Sequence, residues 1–222
     1  MHLLPMFVIV PVAAAILIML ATRKVPAIGD ALANIATLVL LVMAVSVIGK
    51  SGVYWVKGLA PRGGVAAGID LVLDKCSVLM LAAVGLVAFV VTLYSIQYLD
   101  RRDLKAHFYS LFLVMIAGVN GVALTGDLLG LYVFIEVASL AAYALVALGD
   151  HQTELEAAFR YLVVGTVGSL LILVALAITY GLVGSLNMAQ VAKTFGTNLK
   201  PIHLVAAGLF LAGFGLKSAF FP

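Results

Sequence analysis

Long uncharged apolar runs, separated by short polar clusters, set the pattern of this chain. Leu3–Thr22, Ala31–Gly49, Cys76–Leu99, Phe108–Gly126 and Tyr161–Val183 contain no Asp, Glu, Lys or Arg. Leu128–Gly149 and Ile202–Pro222 read the same way, each interrupted by a single charge. A spanning helix needs about 20 predominantly apolar residues, and each run approaches or exceeds that length. The pattern predicts an all-α integral membrane fold of about seven transmembrane helices.

The polar intervals predict where the chain turns. Lys50–Lys75 is the longest of them and is punctuated by Gly52, Gly58, Pro61, Gly63, Gly64 and Gly68. It carries Tyr54 and Trp55, as expected near a membrane interface, and Ile69–Leu73 reads as a short strand. Asp100–His107 and Asp150–Arg160 read as charged loops. Asp127, after Thr125-Gly126, makes a tight turn and an N-cap for the fifth helix. Gly184–Lys200 is a polar loop with room for a short helix.

Composition agrees. Charged residues make up 10% of the chain against 64% in the set AVILMFWYC, whereas soluble domains carry about 25% charge. Mean hydropathy is +1.22. Little is left for an extramembrane domain, and a net charge of +3, scattered along the chain, argues against nucleic acid as a partner. The first apolar run has no basic residue before it and Arg23-Lys24 after it. That order predicts a retained first helix with the N-terminus outside. Arg23, Lys24, Arg101, Arg102, Lys105 and Arg160 then lie in short inner loops. The expected location is the plasma (inner) membrane. The lone Cys76 excludes internal disulfides and reads as an inert, buried thiol.

Two charges fall inside the apolar runs, Glu136 and Lys217. An ionisable residue at membrane depth is costly and marks a functional site by default. Glu136 lies nine residues beyond Asp127, about 14 Å along a helix, near the middle of a roughly 30 Å hydrocarbon core. Tyr132, Ser139 and Tyr143, at i−4, i+3 and i+7, share its face. A carboxylate with hydroxyls along one stripe can hold water and pass protons; the plainer reading is a carboxyl that only bonds a neighbouring helix. Lys217 sits far from the polar flanks of its run, and low dielectric disfavours the charged form of a lysine. Gly213, Gly215 and Ser218 nearby favour close approach or local unwinding, as in the broken helices of transporters. Here the plainer reading is an ion pair with Glu136 that fixes packing.

Other candidates carry less. His2, His107, His151 and His203 lie at helix ends or in loops without a partner at i+4, so no metal or haem site is expected. Asn120 is placed to cross-link helices, and Gly165 with Ser169 forms a small-xxx-small pair suited to packing. The sequence has no P-loop, dinucleotide fingerprint or nucleophile elbow.

Several stretches resemble one family. Gly126-Asp-Leu-Leu-Gly-Leu-Tyr-Val-Phe-Ile-Glu136-Val-Ala-Ser-Leu-Ala-Ala-Tyr-Ala-Leu resembles the fifth helix of the antiporter-like subunits shared by respiratory complex I, membrane-bound hydrogenases and Mrp-type cation/proton antiporters. Glu154-Leu-Glu-Ala-Ala-Phe-Arg160-Tyr resembles the start of their sixth helix, and Gly184-Ser-Leu-Asn-Met-Ala the loop after it. Gly213-Phe-Gly-Leu-Lys217-Ser-Ala-Phe-Phe-Pro222 resembles their broken seventh helix, and Gly68-Ile-Asp-Leu-Val-Leu-Asp-Lys-Cys-Ser the approach to the third.

The resemblance implies a proton-conducting, or cation/proton-exchanging, subunit. Glu136 and Lys217 would be its relay, supported by Tyr132, Ser139, Tyr143, Gly213 and Arg160. It implies peripheral helices over 1–126, with an extramembrane loop at 50–75, and the start of the proton-transporting domain over 127–222. Other membrane subunits of one complex are the implied partners, with protons, or Na+, as the transported ion. No cofactor is expected in this chain, since redox centres would sit in partner subunits. The chain reads as the N-terminal portion of a longer subunit. Two other readings stay open: a structural membrane subunit locked by a packing ion pair, and a retinal-type light-driven pump, for which an in-span Trp and a third-span acid are missing.

Overall fold

The computed structural model describes residues 3–22, 28–55, 70–98, 102–149, 151–197 and 200–220. Its helices are α1 (Met6–Ala21), α2 (Ile28–Ser46), α3 (Lys75–Tyr98), α4 (Arg102–Leu124), α5 (Leu128–Val146), α6 (Gln152–Val183), α7 (Met188–Thr197) and α8 (Pro201–Lys217). Two strands, β1 (Gly52–Trp55) and β2 (Asp70–Leu73), lie between α2 and α3. Among the described residues five helices, α2 to α6, are long and apolar enough to cross a membrane, whereas α1 and α8, at 16 and 17 residues, are shorter apolar helices. Large apolar side chains such as Leu79, Leu86, Val90, Leu170 and Leu211 point outward along these helices. Such a surface suits lipid, and the protein is a multi-pass integral membrane protein.

α4 is the hub, packed against α1, α3 and α5, while α6 pairs with α8. Leu4, Phe7, Leu40, Leu81, Phe112 and Leu124 form one buried cluster around it. Asn120 donates from α4 to the Phe7 carbonyl at 3.1 Å, the cross-link its position predicted. Asp127 caps α5 as expected, its carboxylate accepting from the Gly130 N–H at 2.6 Å.

Several expectations need correction. The charged stretches expected as loops are largely helical: α4 starts at Arg102 and α6 at Gln152. Lys105 explains the first, since its amine reaches the Ile96 carbonyl at 2.8 Å and Asp30 at 3.4 Å and so ties α4 to α2 and α3. In α6 an exposed Glu156–Arg160 pair at i,i+4 supports the added turns. With 32 residues, α6 is about 48 Å long at 1.5 Å per residue and overshoots a roughly 30 Å core. Cys76 is exposed rather than buried. On that first turn of α3 it is Ser77 that turns inward, where its N–H donates to Asp74 at 2.7 Å. The last apolar run, Ile202–Pro222, is helical only to Lys217, within the stretch where a broken helix was expected. Ser218 is the C-cap and Ala219 adopts φ 53°.

The expected strand is present as β2. Its partner was not foreseen: β1 pairs antiparallel with it, Gly52 opposite Leu73 and Trp55 opposite Asp70. Ile69, expected to begin the strand, lies outside the described residues. The short helix expected in the 184–200 loop is α7.

Candidate functional site

Glu136 sits in the middle of α5, and Lys217 is the last residue of α8. The two meet across the packing of α5, α6 and α8. The Lys217 amine is 2.8 Å from Glu136 Oε1, with side chains 9% and 26% exposed. The same amine donates to Ser139 Oγ at 3.2 Å and to Tyr143 OH at 3.4 Å. It also lies 5.8 Å from the centre of the Tyr143 ring, within cation–π range. Helical periodicity explains the set: positions 136, 139 and 143 share one face of α5, and that face meets the end of α8.

Close approach of α6 to α8 makes the meeting possible. A Cβ on Gly213 would lie 2.6 Å from Ile172 and 2.8 Å from the Gly168 carbonyl. The two glycines let the helices touch backbone to backbone one turn before Lys217. Gly165 does the same for the phenol: a Cβ there would overlap the Tyr143 hydroxyl. Tyr143 also stacks edge-on against Tyr161, centroids 4.6 Å apart.

Ser169 is the residue sequence reasoning assigned only to packing. Its hydroxyl donates to Glu136 Oε1, the oxygen that also accepts from Lys217. The available signal was the Gly165–Ser169 spacing, which shows that one face of α6 is small but not which helix lies opposite. Two expected members are elsewhere. Arg160 is exposed and pairs with Glu156. Tyr132 is partly buried, but no hydrogen bond joins it to the pair among the described residues. A cleft of about 930 Å³ between α4, α5 and α8 reaches Ser139, Lys217 and Ser218 and is otherwise walled mainly by apolar side chains such as Val119, Ile135 and Leu211.

Two family models match the chain. One, described as NADH:quinone oxidoreductase/Mrp antiporter, TM, matches residues 125–222 and so contains both charges. The other, NADH-Ubiquinone oxidoreductase (complex I), chain 5 N-terminus, matches residues 60–109. The NADH-quinone oxidoreductase subunit N of Desulforudis audaxviator is 36% identical over 100% of this chain. The chain belongs to the antiporter-like membrane subunit family. Within that family it is also similar to an Na(+)/H(+) antiporter subunit of Alkalihalophilus pseudofirmus, at 35% identity over 70% of this chain and 32% of the relative. Among solved structures it resembles a chain of the membrane-bound sulfane sulfur reductase, an archaeal respiratory membrane complex. There the TM-score is 0.88 and the identity 26%, covering 97% of this chain and 44% of that one. The chain spans 45% of the Desulforudis relative. The light-driven reading expected as an alternative is not favoured by these matches.

Proposed function

We propose that this antiporter-like subunit carries protons, or exchanges a cation for protons, through the membrane arm of a multisubunit complex. Glu136 and Lys217 are its relay. The observation that carries the reading is the 2.8 Å contact of the Lys217 amine with Glu136, ringed by the hydroxyls of Ser139, Tyr143 and Ser169. The family model's match over 125–222, a range that includes both charges, supports placing the start of the transporting domain at 127.

The chemistry follows from the shared oxygen and the shared amine. Amine and carboxylate share one hydrogen bond, and three hydroxyls border it, so a proton can pass among Lys217, Glu136, Ser139, Tyr143 and Ser169 without entering lipid. Drawing Glu136 away from the amine breaks that path. Tyr143 and Ser139 extend the site from Glu136 over seven residues, about 10 Å of helix, toward the end where α6 begins. That is the side from which protons reach the pair. With the N-terminus outside and the chain in the plasma membrane, it is the cytoplasmic side. The pull on the pair comes from a neighbouring membrane subunit, and redox centres, where an assembly has them, belong to partners.

The test is Glu136→Gln in the full-length subunit within its complex. Proton-coupled activity falls at least tenfold while assembly, read by native gel, is unchanged. Undiminished transport with normal assembly would leave the ion pair a purely structural tie.

A further inference from the structure

Three segments converge at the end of the molecule where α5 begins. The Gly126 N–H donates to the Asp70 carbonyl at 3.0 Å, the Met188 N–H to Gly126 at 3.1 Å and the Leu128 N–H to Leu186 at 2.9 Å. The β hairpin, the α4–α5 turn and the α6–α7 joint are thus sewn together. Two carboxyl groups lie within this junction, Asp70 and Asp127, only 3% and 6% exposed.

Their surroundings differ. Asp127 caps α5, accepts from the Gly130 N–H at 2.6 Å and receives the Thr125 hydroxyl at 3.4 Å. A helix N-terminus favours a negative charge there. Asp70 has one partner on one oxygen, the Asn187 amide at 3.2 Å. Among the described residues its other oxygen is buried with no hydrogen-bond partner from a neighbouring segment. No ion pair to either carboxyl is seen among the described residues. A buried carboxylate oxygen without a donor is among the costliest unsatisfied groups, and a second carboxylate beside it raises the cost.

We propose that Asp70 is a proton-binding site, and that its protonated form locks the hairpin onto the α4–α5 turn and the α6–α7 joint. The proton sits on the unpartnered Oδ1. It removes one of two buried charges and turns an orphaned acceptor into a donor. Asp127 keeps its place as the cap of α5. A proton can arrive from solution, since Asp70 lines a cleft of about 900 Å³ with Trp55, Thr125, Asn187 and Gln190. Burial first, then the charge of Asp127, pushes the Asp70 carboxyl above its usual range, against the opposing backbone and Asn187 hydrogen bonds.

Of the titratable groups facing this cleft, Asp74 and Cys76 come from the head of α3. The Ser77 N–H holds the Asp74 carboxyl below the usual range, so it stays charged throughout. β1 and α7 contribute Trp55 and Met188, Ala189 and Gln190, none of which titrates in the carboxylate range. The sign follows from Asp70 binding its proton more tightly folded than unfolded. The junction is tightest at low pH and loosens as pH rises through the raised value. This site is separate from the Glu136–Lys217 relay and does not depend on it.

The test is amide hydrogen exchange at Gly126, Leu128 and Met188 in the full-length protein, corrected for the intrinsic effect of pH. Wild-type protection falls at least threefold as pH rises across the window. Asp70→Asn, which is neutral at every pH, keeps the low-pH protection throughout. Identical profiles in the two proteins, or a variant unprotected even at low pH, would overturn the proposal. Should Asp70→Asn fail to fold, the infrared carbonyl band of a protonated carboxyl is followed in Glu136→Gln protein, where the relay carboxylate is gone. A band that vanishes as pH rises, together with loss of protection, supports the site. Absence of any such band at low pH sinks it.

Discussion

At the residue scale, the unusual feature is that one oxygen accepts two donors. Glu136 Oε1 takes both the Ser169 hydroxyl and the Lys217 ammonium. Removing the serine donor leaves the ion pair standing, whereas removing one charge strands the other. Ser169→Ala is therefore expected to reduce proton-coupled turnover severalfold without loss of the folded protein. Lys217→Ala leaves a partly buried carboxylate uncompensated, a change that costs about 3–5 kcal/mol in comparable buried pairs. Thermal unfolding in detergent should show a marked fall for Lys217→Ala and little change for Ser169→Ala; equal losses would mean that the ion pair contributes nothing special. Glu136, Lys217, Ser139 and Tyr143 were legible in the sequence because membrane charge is conspicuous and helical spacing is simple arithmetic. Ser169 was not, because its role depends on which helix faces α6, and that is decided by tertiary packing. Arg160 was drawn in by resemblance alone, and its exposed pairing with Glu156 leaves it outside the site.

At the element scale, helix contacts are set by small residues and helix limits by caps. Gly213 and Gly168 allow α8 to lie against α6, and even one methyl at Gly213 meets backbone at 2.8 Å. Gly213→Ala should separate the two helices and lengthen the Lys217–Glu136 contact. Cross-linking between cysteines introduced at Ala212 and Leu171 would report the separation, with unchanged yield contradicting it. Asp127→Ala removes the α5 cap, an effect of about 1 kcal/mol at a typical N-terminus, measurable as a lowered unfolding midpoint. The cap was visible in the Thr-Gly-Asp stretch, and so was the strand at 70–73. The partner strand was not. Gly52–Trp55 is short, shows no alternation of burial, and pairs across a long interval. The charged stretches were misread for a related reason. Charge density signals exposure, but an exposed stretch is free to be helix when i,i+4 pairs and tertiary ties such as Lys105–Asp30 support it.

At the scale of the whole molecule, the outward apolar faces define what surrounds the protein. Leu86 and Val90 are more than half exposed in mid-α3. Leu86→Arg places a charge on that face at a cost of about 2.5–3.5 kcal/mol on insertion scales. Reduced membrane insertion, scored by protease protection, is the expected result. Normal insertion would indicate that a protein neighbour, not lipid, covers the face. The membrane class was readable from composition alone, because backbone in lipid must satisfy its own hydrogen bonds and helices are the economical solution. The grouping of helices, with α4 as hub and α6 paired to α8, was not, because helices apolar all round give no periodic sign of which face meets which neighbour.

The place where α8 stops has a mechanical meaning. A helix end is the part of a helix whose length is adjustable at low cost, since fraying one residue breaks one backbone bond. Each residue gained or lost moves the tip by about 1.5 Å along the axis. The Lys217 amine begins 2.8 Å from its carboxylate, and hydrogen bonds fail beyond about 3.5 Å. A tip displacement of one residue's rise is thus enough to switch the contact off. Under the proposed relay, Lys217 is a position gauge: sub-nanometre movement passed to α8 by whatever packs on it makes or breaks the contact through which the proton would pass.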